Sequence, residues 1–353
     1  MKALVLTAPG RFDVRSIADP RPRSGEILLR TETCTICGTD MRVLDGRKTR
    51  GIRYPSVIGH EIAGVVAETG SSETGFDRGD RVCIAPVIPC HACSACLEGR
   101  ENACRRRQAI GYEFNGGFAE YVLVPEVAVR FGHAVRIPAT VSFEEAALAE
   151  PLACCINGYR KAGIALGDSV LIVGAGPIGL MQAQLARAGG AKQIIVSEPH
   201  PYRREQALRN GAHTVVDPNA ETLSDVVPDM TEGRGVDAVI LAIGIPGVIN
   251  DLLRVVRVGG RVNLFAGFAG TGECSIEANL IHYNEITVNG TTAATRHDYL
   301  TAVSLISSGR VDLKGLVTHR FGLEAFQSAY ELQRSGDALK IAIAPDESNR
   351  GGE

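Results

Sequence analysis

The stretch "VLIVGAGPIG", Val170–Gly179, decides how this chain folds. An apolar run ends in Gly174, Gly176 and Gly179, spaced G-x-G-x-x-G, and the helical pattern "PIGLMQAQLARAGG" begins inside the same motif. The order predicts a strand, a tight turn and a helix. Gly174 permits the turn, Gly176 lets the backbone approach a pyrophosphate, and Gly179 allows close packing of helix on strand. Pro177 and Ile178 lie in the same phosphate-facing turn. A second strand, "QIIVSE", ends in Glu198, at the distance where an acid holds the hydroxyls of a ribose. A carboxylate there accepts from a diol and repels a 2′-phosphate, so NAD is expected rather than NADP. Arg203 and Arg204 follow closely and are expected to flank the adenosine.

Outward from this motif the pattern continues as "GVDAVILAIG", a helix over "VINDLLRVVRVGG", and "RVNLFAGF". Strands that are apolar throughout predict a parallel sheet covered by helices on both faces, the doubly wound (Rossmann) α/β arrangement. The chain before residue 151 has a different character. Short runs such as "EILLRTET", "EIAGVVAETG", "RVCIAPVI" and "FAEYVLVPE" alternate with Pro and Gly, which predicts an antiparallel, barrel-like or sandwich-like lobe. After about Gly290 come helices over "HDYLTAVSLISSGR" and "LEAFQSAYELQRSG" and a last strand, "KIAIAP"; this tail is expected to rejoin the first lobe. The last residues, "DESNRGGE", read as a frayed terminus.

With 353 residues, two domains are expected, and 45% apolar residues suffice for two cores. A net charge of −3 excludes the footprint of a nucleic-acid binder or of a polybasic membrane segment. No apolar run is long enough to cross a bilayer, and the N-terminus lacks the features of a signal peptide. A cytoplasmic location follows as an expectation, and with it ten cysteines that serve as thiols or metal ligands rather than as disulfides.

Four of those cysteines, Cys90, Cys93, Cys96 and Cys104, are spaced C-x2-C-x2-C-x7-C in "CHACSACLEGRENAC". Four thiolates make a closed tetrahedral shell for zinc, with iron as the lesser rival, and leave no open position for chemistry. A second donor set is suggested by "TCTICGTD" and "VIGHEIAG", which supply Cys37, His60 and Glu61, and by "LAEPLACC", which supplies Glu150. Three protein ligands and an exchangeable fourth position are what a catalytic zinc requires. Cys34, Cys83, Cys154, Cys155 and Cys274 read as buried small hydrophobes.

Together "MKALVL", "GEILLR", "CGTD", "GHE", the four-cysteine loop, "AEPLA", "VGAGPIG", "GGRV" and "LVTHRF" make the chain resemble the zinc-containing medium-chain dehydrogenases, in the branch of sorbitol and threonine dehydrogenases. The resemblance implies a mainly β, GroES-like catalytic domain from residues 1–152 and 291–353, and a Rossmann NAD domain from 153–290. It implies an enzyme in which zinc activates a hydroxyl of a small-molecule alcohol and NAD takes the hydride, giving a ketone. A homotetramer or dimer is implied as well. Cys37, His60 and Glu61 match metal ligands, Glu150 matches a residue reached through water, and Thr39 matches a hydroxyl that relays the proton. Which of the two glutamates touches the metal stays open at this point.

Departures from the pattern bear on the substrate. Arg42 stands where many relatives carry a proton-shuttling histidine, and a guanidinium cannot shuttle protons. Val43 replaces a tyrosine of animal sorbitol dehydrogenases, and Arg296 is displaced from their substrate arginine by three residues. Arg42 and Arg296 are therefore candidate substrate contacts, Arg42 for the anionic group of a sugar acid or sugar phosphate or, equally, for the NAD pyrophosphate. The basic run around it, Arg47, Lys48, Arg50 and Arg53, otherwise reads as a solvated face. Sequence reading supports oxidation of a polyol or other sugar-derived secondary alcohol. The alternatives are a threonine-type or simple alcohol dehydrogenase and, from another class, a non-catalytic NAD-binding redox sensor.

Overall fold

The computed structural model describes residues 1–268 and 270–345, so the reading of "DESNRGGE" falls outside the described residues. The chain forms two compact units. One runs from Met1 to Ala153 and resumes at Ala294; the other is Cys154–Ala293.

The second unit is built on six parallel strands. Their order is Thr214–Val216, Gln193–Ser197, Ser169–Val173, Val236–Leu241, Val256–Leu264 and Thr287–Gly290. Ser169–Val173 and Val236–Leu241 are buried at every residue, which is why, apart from Ser169 and Asp237, they read as apolar runs. Val170 lies between Ile194 and Ala238, and Leu171, Val173, Ile195, Val239 and Leu241 share one core. The first strand in the chain is third in the sheet, so the strand order reverses beside it. A ligand cleft opens at the carboxyl ends of the strands at such a point, and Gly174 begins the turn there.

One element departs from the reading. Instead of a helix through "VINDLLRVVRVGG", the helix Ile249–Val255 stops and Val256–Leu264 is a strand. The β-branched valines favour extended backbone, and Gly259, at φ +68°, takes a conformation that a helix does not contain. The short strands Thr214–Val216 and Thr287–Gly290 leave no sequence signal, because three or four residues carry too little periodicity.

In the first unit one sheet runs Ala134–Arg136, Arg81–Ile84, Glu61–Thr69, Ile27–Thr35, Lys340–Ala344, Val317–Gly322, and Tyr121–Val124 pairs with the early half of Ile27–Thr35. The read strand "RVCIAPVI" divides into Arg81–Ile84 and Val87–Ile88, because Pro86 has no N–H to give to a ladder. Leu29, Ile62, Ile84, Phe118 and Phe326 fill the core. Register here positions the chemistry. Thr35 is opposite Glu61 on one side and Ala342 on the other, so the returning C-terminal strand carries Lys340 toward Glu61. Among the described residues no helix is long and apolar enough to cross a membrane.

Candidate active site and metal centres

The helix Gly38–Leu44 begins at Cys37, whose sulfur accepts from the Thr39 backbone N–H at 3.5 Å. Asp40 returns the contact, its Oδ2 accepting from the Cys37 N–H at 2.9 Å, and so completes a capping box. Its other oxygen lies 3.0 Å from His60 Nδ1. Asp40 thus fixes the two candidate ligands Cys37 and His60 at once. With Nδ1–H given to the carboxylate, the His60 Nε2 lone pair is left for a cation. Burial pushes the imidazole's pKa down, but Asp40, with Tyr112 and Cys37 adding to it, holds it well above its ordinary value.

Ligand atoms of Cys37, His60 and Glu61 all lie within 4.8 Å of one another. Glu61 is fully buried. Lys340 Nζ donates to its Oε1 at 2.6 Å and also reaches Oε2, and the Thr35 hydroxyl donates to Oε2. The Lys340 ammonium, itself 5% exposed, donates in addition to the Ile36 carbonyl at 3.1 Å. Burial pushes its pKa down, yet the Glu61 and Cys37 charges keep it raised. A sulfur, an imidazole nitrogen and a carboxylate oxygen, with the histidine backed by a second carboxylate, are the donors expected of a three-ligand zinc site.

Glu150 is not part of that set. It opens the helix Ala149–Ala162, is half-buried, and lines a small recess with Arg296 and Tyr299. The Arg296 backbone N–H donates to Glu101 at 3.0 Å. Arg42 donates from Nη2 to the Thr39 hydroxyl oxygen at 3.1 Å. The cap of this helix is made by Cys37 and Asp40, so the Thr39 hydroxyl is not spent on capping.

The cysteine loop closes on itself. Cys90, Cys93, Cys96 and Cys104 bring their sulfurs within 4.8 Å of one another, with Cys93 to Cys96 at 3.4 Å and Cys90 to Cys96 at 3.9 Å. A tetrahedron with Zn–S bonds of about 2.3 Å places its sulfurs about 3.8 Å apart. Backbone donation from Ala92 draws the Cys90 thiol down to about 6, while burial pushes Cys96 up to about 12. Thiolates this close repel one another, and a bound dication would offset that repulsion. Zinc fits both clusters.

Of the remaining cysteines, Cys34, Cys83 and Cys155 are buried and Cys154 is half-buried. Cys274 is exposed, which corrects its reading as a buried hydrophobe. It lies in an irregular segment whose neighbours, Glu273 and Ser275, are exposed too.

In the second unit Gly176 caps the helix Pro177–Ala188, and the Gly174 N–H donates to the Ser197 carbonyl. Gly174 has φ +100°, and a Cβ on Gly179 would stand 1.9 Å from the Gly174 carbonyl oxygen. A Cβ on Gly176 would meet nothing within 4 Å. Close packing is thus required at the first and third glycines, and open room at the second, where a pyrophosphate would sit. Glu198 is 4% exposed, with Oε2 accepting from Ala175 N–H at 2.7 Å and Oε1 from His200 N–H at 3.0 Å. Each oxygen keeps capacity for a second donor. Arg203 is half-buried. Arg204 is committed to the Glu198 and Pro199 carbonyls and to Asp217, 3.0 Å away.

Sequence reading missed Asp40, Thr35, Lys340 and Tyr112. Asp40 had a signal, since an acid three residues after an N-cap is the capping-box spacing. Lys340 had none, because its partner is 279 residues away.

Residues 23–133 match the alcohol dehydrogenase GroES-like domain, and residues 177–308 match the zinc-binding dehydrogenase domain. The chain is 34% identical to L-threonine 3-dehydrogenase of Pyrococcus horikoshii over 350 residues, covering 97% of this chain and 98% of that one. It is 32% identical to sorbitol dehydrogenase of Halalkalibacterium halodurans, covering 98% and 99%. A Sinorhizobium meliloti protein described as a zinc-binding dehydrogenase, solved with NADP, superposes with a TM-score of 0.90 at 33% identity, covering 98% and 99%. The chain belongs to the zinc-containing medium-chain dehydrogenase family, in its sorbitol and threonine dehydrogenase-like branch.

Proposed function

We propose that this enzyme oxidises a sugar-derived secondary alcohol to a ketone, with NAD as the hydride acceptor. The observation that carries the zinc-dependent oxidation of an alcohol is the convergence of Cys37, His60 and Glu61, with His60 held by Asp40. Zinc, when bound, supplies a Lewis acid that acidifies a hydroxyl, and the nicotinamide supplies the redox chemistry. Cys37, His60 and Glu61 would hold that ion, and we assign the third position to Glu61 rather than Glu150 because Glu61 stands in the cluster. Cys90, Cys93, Cys96 and Cys104 would hold a second ion that staples their loop.

Thr39 is assigned the first proton transfer. Its oxygen accepts from Arg42, which leaves one lone pair to accept the substrate's proton and its own hydrogen to pass on. Arg42 stays charged and orients the hydroxyl without taking a proton. Gly174, Gly176 and Gly179, with the Pro177–Ile178 turn, are assigned to the pyrophosphate, and Glu198 and Arg203 to the adenosine ribose. NAD is favoured over NADP because Arg204, the other cation beside Glu198, is already bound to carbonyls and to Asp217. A redox sensor without catalysis would have no use for an Asp40-held histidine or for Thr39.

The test is NADH formation by zinc-loaded protein across a panel of polyols, sugar acids, sugar phosphates, threonine and simple alcohols. Turnover of a sugar-derived secondary alcohol at least tenfold above threonine and simple alcohols is the expected result. Selective turnover of threonine, or no turnover at all, would contradict it.

A further inference from the structure

The basic run after the Gly38–Leu44 helix does not stay on one solvated face. Arg47, Arg50 and Arg53 are exposed, and Arg47 pairs with Asp45. Lys48 behaves differently. The Arg47 and Lys48 N–H groups both donate to the Arg42 carbonyl, at 2.8 and 2.9 Å, and this turn folds Lys48 back alongside Arg42. Its ammonium lies 4.1 Å from the centre of the Tyr112 ring, and that ring stands 5.4 Å from the ring of His60. Cation, aromatic ring and ligand imidazole therefore follow one another into the metal cluster. Lys48 is half-buried and makes no ion pair with any described carboxylate; nor does Arg42, whose recorded partner is the Thr39 hydroxyl.

A partly desolvated ammonium beside a second unpaired cation is unfavourable unless something negative joins it. Burial depresses the Lys48 pKa first and Arg42 depresses it further; Asp40 and Cys37 act the other way, and Arg107 adds to the repulsion. A half-buried Lys48 on the Tyr112 ring and an exposed Arg42 on the Thr39 hydroxyl thus both lie beside the candidate ligands, neither in an ion pair with a described carboxylate.

We propose that Lys48, seated on Tyr112 and flanked by Arg42, is a specificity residue that binds an anionic group of the substrate, a carboxylate or a phosphate, next to the reacting hydroxyl. This deepens the function proposed above and rests on it. The aromatic ring holds the ammonium in place, and Arg42 serves both the Thr39 hydroxyl and the anion's field.

The test uses zinc-loaded enzyme with NADH bound, so that binding is read without turnover. Sorbitol is the neutral ligand, gluconate the carboxylate arm and glucitol 6-phosphate the phosphate arm, each titrated by calorimetry. At least one anionic ligand is expected to bind ten times more tightly than sorbitol or better. Lys48→Met is expected to lower that affinity about 10- to 100-fold while leaving sorbitol unchanged, and Lys48→Arg to restore much of it. Thermal unfolding of each variant separates loss of binding from loss of fold. Equal affinity for all three ligands, or an anion preference that survives Lys48→Met, would overturn the proposal. The same ligands assayed for NADH formation distinguish the two readings. Turnover without anion preference ends only the Lys48 assignment, whereas Lys48-dependent binding without turnover of any alcohol ends the catalytic reading.

Discussion

Lys340 Nζ lies 2.6 Å from Glu61 Oε1 and reaches Oε2 as well, so a cation from the last strand holds both oxygens of a candidate metal ligand from the first lobe. The pair is 5% and 0% exposed. Glu61 is thereby oriented in the metal-free protein, and an ion held there would share its charge with Lys340.

Removing one partner of such a pair strands the other. Lys340→Met is expected to cost about 3 to 5 kcal/mol of unfolding free energy, because it leaves Glu61 buried and uncompensated. Adding Glu61→Gln to Lys340→Met should recover much of that loss. Urea unfolding of the two variants checks both statements, and equal stability of the single variant and the parent would show that Glu61 is not charged in the fold.

Asp40 acts through its contacts with Cys37 and His60. Asp40→Asn is expected to weaken zinc binding at that cluster about 10- to 100-fold, as loss of an orienting carboxylate does elsewhere, and to leave the four-cysteine loop loaded. Chelator competition with metal analysis distinguishes the two ions. Parallel loss from both sites would point to general unfolding instead.

Zinc retention should depend on pH with a definite sign. His60 is held well above its ordinary pKa in the metal-free protein, so it carries a proton near neutral pH that a metal must displace. That proton competes harder as pH falls. Apparent affinity should therefore drop by about tenfold per pH unit for this group below its raised pKa, and recover as pH rises. Zinc titration against a fluorescent chelator between pH 6 and pH 8 reads the slope; a flat profile contradicts a protonated His60.

Two glycines of one motif should respond differently. Gly179→Ala places a methyl group 1.9 Å from the Gly174 carbonyl oxygen, so the turn must open and stability should fall by about 1 to 3 kcal/mol. Gly176→Ala meets open space and has no left-handed φ, so stability should change by less than about 0.5 kcal/mol. NAD binding should nonetheless weaken, because the added methyl occupies the approach to the pyrophosphate. Thermal unfolding and NADH titration of the two variants test the contrast.

Much of this was legible in the sequence because its signals are local. The turn at Gly174, the cysteine spacing and the alternation of strands in the second unit each lie within a few tens of residues. The site was less legible where partners are remote. Thr35, Glu61 and Lys340 meet only through strand register, and Lys48 is turned inward by two hydrogen bonds to the Arg42 carbonyl that no composition reveals. The apolar spacing of Val256 and Val258 fits either a helix or a strand; Gly259 decides for the strand.

The most direct measurement is zinc content beside NADH formation in the same purified protein, before and after chelation. About two zinc ions per chain are expected, with loss of turnover when the Cys37–His60–Glu61 ion is removed and recovery when zinc is returned. Cys37→Ser is expected to abolish turnover while the cysteine loop keeps its metal. Full turnover by protein stripped of zinc would contradict the zinc-dependent reaction.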